Sequence, residues 1–361
     1  MTHKNFSLLL LGVAGFFAAA SVLFWHLAVR DTFYGYDSHG DLARIGSIEF
    51  AKPLTHNITY QKRHTELSEY ILAESEEKFS VLTVGDSHSD GIGGAYYQDY
   101  LADRYDIAVI NSAGTKKFNS GYQLFLLMKL GYVEKLGVKT IIFEVGERGV
   151  GQITGLPNFP EVSRKEYEKD RVSFVEPMGR DMVPPYVLLS TTMGSANVKF
   201  IKNRLRAAQD PFSAGEMVGK ELLTISAFTN PGQENILYYY KDDLGYLSAK
   251  PNVAAINEAM NTLADKLADM DIKLIFLVIP DKYDVYFPYI AREQDLKEND
   301  FFAEFAPLPR RYVFIDTKSI VREAVARGEK DLYWADDTHT SFKVQQLIGD
   351  AVAEELLKND F

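Results

Sequence analysis

The sequence of 361 residues contains no cysteine. Disulfides, thiolate metal sites and thiol catalysis are therefore excluded, while the redox compartment of the protein stays undetermined. Histidine is also scarce, with seven in the chain. We interpret His56 and His64 as solvated surface residues and not as metal ligands, because no third histidine stands at metal-ligand spacing from them. The residue pattern calls for no metal ion and no other cofactor.

Concentrated positive charge is lacking as well. The formal net charge is −11, with 39 Lys and Arg against 50 Asp and Glu. A phosphate-binding surface needs clustered Lys and Arg, so we expect no nucleic acid partner. Gly91, Gly93 and Gly94 follow a predicted strand, but the wider G-x-G-x-x-G pattern and its downstream acid are missing. The sequence therefore predicts no nucleotide-phosphate loop.

One long apolar run is present at the N-terminus, from residue 6 to residue 29, bounded by Lys4 and Arg30. As a helix it would reach roughly 36 Å at 1.5 Å per residue, enough to cross a hydrocarbon core of about 30 Å. Cleavage as a signal peptide after residues 18–20 stays open, but the apolar run is longer than a usual h-region. We expect residues 1–30 to be an uncleaved single-pass anchor in the cell inner membrane, with the domain on its periplasmic or extracytoplasmic side.

Beyond the anchor, residues 31–78 are interpreted as a stalk and lead-in, ending in a short Glu-rich helix around 65–78. From residue 79 to residue 361, short β-branched or aromatic runs alternate with helical stretches. This alternation predicts an α/β fold, a three-layer sandwich with a central, mostly parallel sheet and any site at the carboxyl ends of the strands. Strands are predicted at 79–84, 107–111, 140–145, 272–279 and 312–315, and helices at 95–105, 121–137, 253–270, 320–327 and 342–357.

The segment from about residue 150 to residue 250 breaks the alternation with many prolines and no clean period. A structureless loop of that length is implausible inside one domain, so we expect an insertion or cap with its own helices, one of them at 195–209. Lys199, Lys202, Arg204 and Arg206 cluster on that helix. We interpret the cluster as a solvated face and not as an anion site.

A candidate nucleophile lies where the run VLTVGDSHS, residues 81–89, changes from apolar to polar. Such a buried strand would present Ser87 at the carboxyl edge of a sheet. A serine hydroxyl needs a base, and the base needs a third group, usually a carboxylate, to orient it. His339 follows Asp336 and Asp337 in the segment ADDTH. The Ser87 turn alone, or the ADDTH segment alone, could serve in helix capping or in a turn. Their presence together, at the two ends of one α/β unit, favours catalysis.

Three segments resemble successive sequence blocks of the SGNH (GDSL-like) hydrolase superfamily, namely GDSHS at 85–89, INSAG at 110–114 and ADDTH at 335–339. The GDSH form and the late Asp-x-x-His are similar to the SGNH domain of O-antigen acyltransferases. FEVGERG at 143–149 and VIPDKYDVY at 278–286 resemble parts of the alginate O-acetylation proteins. The resemblance implies an SGNH or flavodoxin-like catalytic domain of the membrane-anchored O-acyltransferase branch.

The resemblance implies that Ser87 is the nucleophile and His339 the general base and then acid. Asp336 fits the Asp-x-x-His spacing of the hydrolases and Asp337 the Asp-x-His spacing of the alginate proteins, and we narrowly favour Asp336 as the orienting acid. An oxyanion hole would come from the backbone N–H groups of Ser87 and Gly114, with Asn111 as a helper.

Residues just past the third and fourth strands are expected to contact the substrate. The family commonly carries an Asn after the third strand, and this chain has Glu147 and Arg148 there. Arg148 would bind an anionic sugar or replace that Asn, unless it pairs with Glu144 or Glu147. Lys282 and Tyr283 lie at the same predicted edge, where Tyr283, Tyr286 and Tyr289 either line a sugar platform or serve packing. His88 is interpreted as a supporting residue.

The implied activity is transfer of an acyl group, in our interpretation acetyl, to a cell-surface or exported polysaccharide through an acyl-Ser87 intermediate. A multi-spanning membrane acyltransferase would hand over the acyl group as a partner. Two alternatives stay open. One is a carbohydrate O-acetyl esterase of the same fold. The other is a non-catalytic assembly or binding protein on a degenerate SGNH fold, which the missing Asn makes conceivable.

Overall fold

A parallel sheet of six strands forms the centre of the described part of the molecule. The computed structural model describes residues 3–29, 40–46, 58–90, 96–113, 120–158, 191–209, 217–244, 250–291 and 297–358. The strands in chain order are β1 (Thr65–Glu66), β2 (Val81–Gly85), β3 (Val109–Ala113), β4 (Thr140–Gly146), β5 (Val218–Leu222), β6 (Ile236–Tyr240), β7 (Lys273–Ile279) and β8 (Val313–Ile315). The order across the sheet is β1-β3-β2-β4-β7-β8, and β5 and β6 pair separately as an antiparallel hairpin.

The strands are short apolar runs because helices cover both faces of the sheet. Along β7, Leu274 and Phe276 join one buried cluster, while Ile275 and Leu277 join the other, as the two-residue period of a strand requires. The predicted α/β fold with a central, mostly parallel sheet is therefore confirmed.

The helices follow the predicted pattern closely. The helix predicted at 121–137 is divided in two, because Gly131 adopts a left-handed φ of 74° between the parts. The helices in chain order are α1 (His3–Phe24), α2 (Asp41–Gly46), α3 (Leu67–Leu72), α4 (Tyr97–Tyr105), α5 (Ser120–Lys129), α6 (Tyr132–Leu136), α7 (Thr191–Gln209), α8 (Val253–Ala268), α9 (Lys282–Tyr286), α10 (Phe301–Phe305), α11 (Thr317–Ala326) and α12 (Phe342–Leu357).

The strand order places a switch point beside β2. Strands β3 and β4 flank β2 on opposite sides, and β7 and β8 continue outward from β4. Without its edge strand β1 the sheet has the flavodoxin-like order, in which ligands bind outside the carboxyl ends of the strands at this switch point. Ser87 lies two residues beyond the end of β2.

The segment expected to be a stalk contributes to the sheet. Strand β1 pairs with β3, and the helix that follows it ends at Leu72. The side chain of His64, expected at the surface, is 5% exposed and lies between Asp99 and Glu66, with Nδ1 2.7 Å from the first carboxylate and Nε2 2.7 Å from the second. Burial lowers the pKa of His64, but these two carboxylates outweigh burial and raise it to about 9. The surface interpretation of His64 was wrong, and His56 lies outside the described residues.

The segment expected to be an insertion or cap has the predicted helix and an additional hairpin. Helix α7 confirms the prediction at 195–209, and β5 with β6 forms a hairpin that the irregular sequence pattern did not indicate. Two 3-10 segments flank these elements in the chain. Glu147–Asn158 precedes α7, and Lys241–Leu244 follows β6.

The N-terminal apolar run is a helix. Helix α1 continues through a π-helical turn at Trp25–Val29. Over these 27 residues the most apolar window has a mean hydropathy of 2.3, and none of that window is buried in the protein. Length and composition suit a membrane span, and a signal sequence would have the same features.

Candidate active site

Three of the predicted residues meet in one hydrogen-bonded line at the carboxyl end of β2. His339 Nε2 lies 2.8 Å from Ser87 Oγ, and His339 Nδ1 lies 2.6 Å from Asp337 Oδ1. His339 is 6% exposed and Asp337 is 7% exposed, so little water competes for these hydrogen bonds. A hydroxyl, an imidazole and a carboxylate in this order can activate the hydroxyl as a nucleophile.

The carboxylate that contacts the imidazole is that of Asp337, so the geometry contradicts the narrow preference for Asp336. Asp337 Oδ1 also accepts a hydrogen bond from the backbone N–H of His339 at 2.9 Å, so a two-residue turn brings carboxylate and imidazole together. The carboxylate of Asp336 turns away and accepts from the backbone N–H of Gly40 at 2.8 Å.

The charges in this line suit a base and its orienting acid. Burial raises the pKa of Asp337, but the adjacent His339 outweighs it and holds that pKa well below its ordinary value. Burial lowers the pKa of His339, but Asp337 outweighs it, so the pKa of His339 lies above its ordinary value of 6.5. Asp337 is therefore ionised while His339 titrates.

Helix α2 places a second carboxylate beside the imidazole, which the sequence did not indicate. Asp41 accepts hydrogen bonds from the backbone N–H of Thr338 at 2.8 Å and from its hydroxyl at 2.5 Å. Its carboxylate also lies 3.8 Å from His339 Nδ1. Burial and the charge of Asp337 raise the pKa of Asp41 to about 6. In the sequence, Asp41 is recognisable only as an acidic residue at the start of a short helix. The hydroxyl from which it accepts a hydrogen bond, that of Thr338, is 297 residues away.

The turn that carries Ser87 is fastened to the strands on either side of β2. Asp86 accepts hydrogen bonds from the backbone N–H of Gly146 at 2.8 Å and of His88 at 3.0 Å. The hydroxyl of Ser89 donates to Glu144 at 2.5 Å. Burial and the charge of Asp86 raise the pKa of Glu144 well above its ordinary value, so this buried carboxyl is neutral.

Gly85 allows the turn to fold back on β2. A Cβ at this position would lie 2.1 Å from Ser89 Oγ and 3.2 Å from Glu144 Cβ, so any side chain would displace the turn. The glycine of the GDSHS segment is thus required by close approach.

Asn111 supports this turn and does not serve as the expected oxyanion helper. Its amide nitrogen donates to the backbone oxygen of Ser89 at 2.9 Å and to Glu66 at 3.5 Å, and its oxygen accepts from Thr83 Oγ1 at 2.7 Å. Both amide hydrogens therefore face acceptors within the protein. This geometry contradicts the expectation that Asn111 helps to form the oxyanion hole. Gly114 lies outside the described residues, and the backbone N–H of Ser87 stays a predicted donor.

Lys282 supports the His339 loop, so the expectation that it binds substrate is wrong. Its ammonium group donates to the backbone oxygens of Trp334, Ala335 and Asp337 at 2.7, 3.0 and 3.1 Å. The side chain is 1% exposed because the loop folds over the start of α9. Burial lowers the pKa of Lys282 to about 8, although the carboxylates of Asp336 and Asp337 oppose the shift.

Tyr283 is buried as well and cannot form a substrate surface. It is 1% exposed, its ring lies 4.8 Å from that of Tyr239 on β6, and its hydroxyl donates to the backbone oxygen of Lys297 at 3.3 Å. Tyr286 is also fully buried. For both residues the packing interpretation holds, because the hairpin of the insertion covers α9.

Arg148 pairs with Asp243 and Asp281, and with neither Glu144 nor Glu147, the two partners considered from the sequence. Its guanidinium lies 2.5 Å from Asp243 and 3.8 Å from Asp281, and it stacks over the ring of Tyr240 at 5.8 Å. Burial lowers the pKa of Arg148, but these carboxylates outweigh burial and raise it. The side chain keeps 26% of its surface exposed, and its charge lowers the pKa of both His88 and His339. Arg148 therefore lies close to the site and is accessible in part.

His88 lies against the imidazole of His339. The two ring centroids are 4.9 Å apart, and His88 is 3% exposed. Burial lowers the pKa of His88 to about 3, assisted by the positive charges of His339 and Arg148. His88 is thus neutral near neutral pH, and its Nδ1 has no hydrogen-bond partner among the described residues.

Asp41, Asp337 and His339 are also the described residues whose types could together hold a metal ion. Their ligand atoms lie within 4.8 Å of one another. The same groups already make the 2.6 Å hydrogen bond between Asp337 and His339 and the hydrogen bonds that Asp41 accepts from Thr338. A cation here would have to replace these contacts, so the group is better described as a hydrogen-bonded triad with an additional acid.

Comparisons with known proteins add little to this geometry. No family model matches the chain, and no curated protein matches it. Among solved structures, the chain is similar to a point mutant of Axe2, an acetyl-xylooligosaccharide esterase from Geobacillus Stearmophilus. The alignment covers 78% of this chain and 95% of that one, with 12% identity and a TM-score of 0.32. A likeness this weak supports no argument about the site.

Proposed function

We propose that this protein transfers an acyl group to a hydroxyl of a cell-surface or exported polysaccharide through an ester on Ser87. The observation that carries the proposal is the hydrogen-bonded line from Ser87 Oγ to His339 Nε2, 2.8 Å, and from His339 Nδ1 to Asp337, 2.6 Å. This arrangement meets the requirements of nucleophilic catalysis by serine, namely a nucleophile, a base and a group that orients the base.

The first half-reaction forms the acyl-enzyme. His339 takes the proton of Ser87 Oγ as the oxygen attacks the carbonyl carbon of the donor ester. The ionised Asp337 stabilises the imidazolium that forms, and the imidazolium then protonates the leaving oxygen of the donor. The second half-reaction reverses these roles, because His339 deprotonates the acceptor hydroxyl, which attacks the ester carbonyl and releases Ser87.

The negative charge on the carbonyl oxygen requires hydrogen-bond donors. We assign this role to the backbone N–H groups of Ser87 and Gly114. Arg148 is proposed to contact the substrate, either as an anionic sugar or at the carbonyl oxygen, because it is positively charged, 26% exposed and close to His339. Its pairing with Asp243 connects this role to the insertion.

The identity of the acceptor separates a transferase from an esterase, since either a sugar hydroxyl or water can resolve the acyl-enzyme. The apolar helix over residues 3–29 favours transfer, because it would hold the domain at the membrane. There, on the extracytoplasmic side of the inner membrane, an acyl group handed across the bilayer by a multi-spanning acyltransferase could reach Ser87.

The proposal is tested by trapping the acyl-enzyme. The full chain, purified in detergent, is incubated with a chromogenic acetyl ester, with and without an oligosaccharide acceptor, and peptides are examined by mass spectrometry. We expect an acetyl group on the Ser87 peptide and acetylated oligosaccharide in excess over free acetate. Ser87→Ala should lose both, with a rate at least roughly 10⁴-fold lower.

Two results would change the conclusion. Rapid release of acetate with no acetylated sugar would identify an esterase that uses the same intermediate. If wild-type protein formed no adduct with the ester or with a fluorophosphonate probe, the non-catalytic alternative would replace the proposal.

A further inference from the structure

Helix α7 packs against the end of α1. The amide of Asn197 donates to the backbone oxygen of Ser21 at 3.0 Å and lies 2.9 Å from its hydroxyl. The ring of Phe200 meets that of Phe24 edge to face at 5.8 Å. Phe200 also belongs to a small buried cluster with Trp25 of the π-helical turn. One face of α7 is thereby fixed where the apolar N-terminal helix ends.

The opposite face of α7 is apolar and exposed. Val198, Ile201 and Leu205 are 66%, 48% and 60% exposed. With 3.6 residues per turn, these three positions lie within about 60° of one another on the helix and about 100–180° from the buried Ala196 and Phe200. Exposed apolar residues grouped on one helix face indicate contact with another apolar phase.

Positive charge accompanies this apolar row. Lys199, Lys202, Arg204 and Arg206 all lie on α7, and this helix contains no Asp or Glu, although the whole chain has a net charge of −11. On the helical projection, Lys202 and Arg204 lie on the two sides of the apolar row, about 60° and about 100° from Leu205 respectively. Long basic side chains so placed can keep their charge among lipid phosphates while their stems follow the apolar boundary.

We propose that α7 lies in the surface of the membrane that α1 crosses, with Val198, Ile201 and Leu205 at the acyl-chain boundary and its basic residues at anionic lipid headgroups. The lipid surface is the occupant because α7 is packed on the last turns of the apolar helix, where such a helix leaves the bilayer. The inference rests on the membrane-anchored part of the proposed function, and it gives the exposed basic cluster a partner that the interpretation as a solvated face does not.

The position of α7 also connects the membrane surface to the loop that carries His339. The amide of Asn203 donates to the backbone oxygen of Ile45 at 3.1 Å. Ile45 lies on α2, whose Asp41 holds Thr338 beside His339. An α7 fixed at the lipid surface would therefore hold the His339 loop at a constant distance from the membrane.

The absence of native cysteine allows a direct test by single labelling sites. Ile201→Cys and Leu205→Cys, each carrying an environment-sensitive fluorophore, are reconstituted as full chains into vesicles of phosphatidylcholine and phosphatidylglycerol. The matched controls are Phe16→Cys within α1 and Ala254→Cys at an exposed position of α8. Quenching by lipids with a nitroxide on the acyl chain is then measured.

We expect the labels at positions 16, 201 and 205 to be quenched several-fold more strongly than the label at position 254. In the Ile201→Cys background, Lys199→Gln with Lys202→Gln should reduce the quenching of the 201 label towards its value in vesicles of phosphatidylcholine alone.

The control positions separate the possible failures. Quenching at 16 with none at 201 or 205 would leave the anchor standing and overturn the assignment of α7. No quenching at any of these positions would overturn the anchor as well, while the Ser87 chemistry is judged by its own experiment. If the 201 label were shielded in native membranes but not in protein-free vesicles, the occupant would be a protein and the lipid assignment would be wrong.

Discussion

The two loops that meet at the hydrogen bond between Ser87 and His339 are held in different ways. The turn around Ser87 is fastened from within the sheet. Asp86 binds the backbone of Gly146 at the end of β4, and Asn111 on β3 donates to the backbone of Ser89. These partners belong to the strands that flank β2, so the sheet itself holds the turn that carries Ser87.

The loop around His339 is fastened from outside the sheet. The buried ammonium of Lys282 holds three of its backbone oxygens, and residues 40–43 bind Asp336 and Thr338 through backbone and carboxylate groups. These contacts are polar, and the groups that make them belong to α9 and to the segment around α2 rather than to the strands that flank β2. The comparison teaches that substitutions far from β2 in the chain can misplace the base while the nucleophile stays in position.

The largest effect is expected at the contact between Asp337 and the imidazole. Asp337→Asn should lower kcat by roughly 10³- to 10⁴-fold, because an amide does not stabilise the imidazolium and favours the wrong tautomer. The pH profile supplies a second readout. His339 must be neutral to act as a base, and its pKa lies above 6.5, so wild-type kcat/KM should rise with pH through a midpoint above 6.5. Without the carboxylate, burial dominates and this midpoint should move to lower pH.

Asp336→Asn is the matched control for that variant, since its carboxylate faces Gly40 and not the imidazole. It should keep most of the activity and an unchanged midpoint. A more severe loss in Asp336→Asn than in Asp337→Asn would contradict the assignment of the orienting acid.

Lys282→Met tests the outer support of the His339 loop. The substitution leaves three backbone oxygens without their buried donor, so we expect the free energy of unfolding to fall by about 3–5 kcal/mol. Activity per folded molecule should also fall, because the loop that carries Asp337 and His339 loses the ammonium group that binds three of its backbone oxygens. Urea unfolding, together with kcat measured where the variant is fully folded, separates the two effects.

Lys318→Met provides the comparison for Lys282→Met. Lys318 is also buried and donates to a backbone oxygen, that of Asn299, and it pairs with Asp284 and Glu298. The Lys318→Met substitution should destabilise the protein without lowering the activity of folded molecules. Equal losses of activity in both variants would mean that Lys282 has no special role in positioning the base.

The comparison of the loops also shows what sequence can reveal about this site. Strands β2, β3, β4, β7 and β8 and the position of Ser87 were predictable, because each of these strands coincides with a short, largely apolar run whose end marks the carboxyl edge of the sheet. The role of Lys282 was not predictable, because it depends on a loop that folds over α9 and comes from 52 to 55 residues away.

The choice between Asp336 and Asp337 lay beyond sequence reasoning for a related reason. Both carboxylates are close to His339 in the chain, and the local turn decides which one reaches the imidazole. The other is taken by Gly40, a partner 296 residues away. Asp243 likewise reaches Arg148 across 95 residues and from an insertion without a regular pattern.

A smaller effect is expected where the lead-in contacts the loop. A Cβ on Gly40 would lie 2.3 Å from the backbone oxygen of Asp336 and 2.7 Å from Asp337 Cβ, so Gly40→Ala must push the two segments apart. We expect a cost of about 1–3 kcal/mol in unfolding free energy and a fall in kcat of about tenfold through displacement of Asp337. Gly194→Ala on α7 is the control, because no atom lies within 4 Å of the added methyl group. Equal behaviour of the two variants would show that the lead-in does not support the loop.

The smallest effect is expected inside the sheet, at Ser89. Ser89→Ala removes the hydrogen bond to the neutral Glu144 and should cost about 1 kcal/mol in unfolding free energy. Because Asp86 and Asn111 still hold the turn through backbone groups, kcat should change by less than about threefold. Ser112→Ala on β3 is the control, since its buried hydroxyl has no partner among the described residues and should cost nothing measurable. A loss of kcat in Ser89→Ala comparable to that in Gly40→Ala would remove the difference between the two loops, because the nucleophile would then depend on single polar contacts as much as the base does.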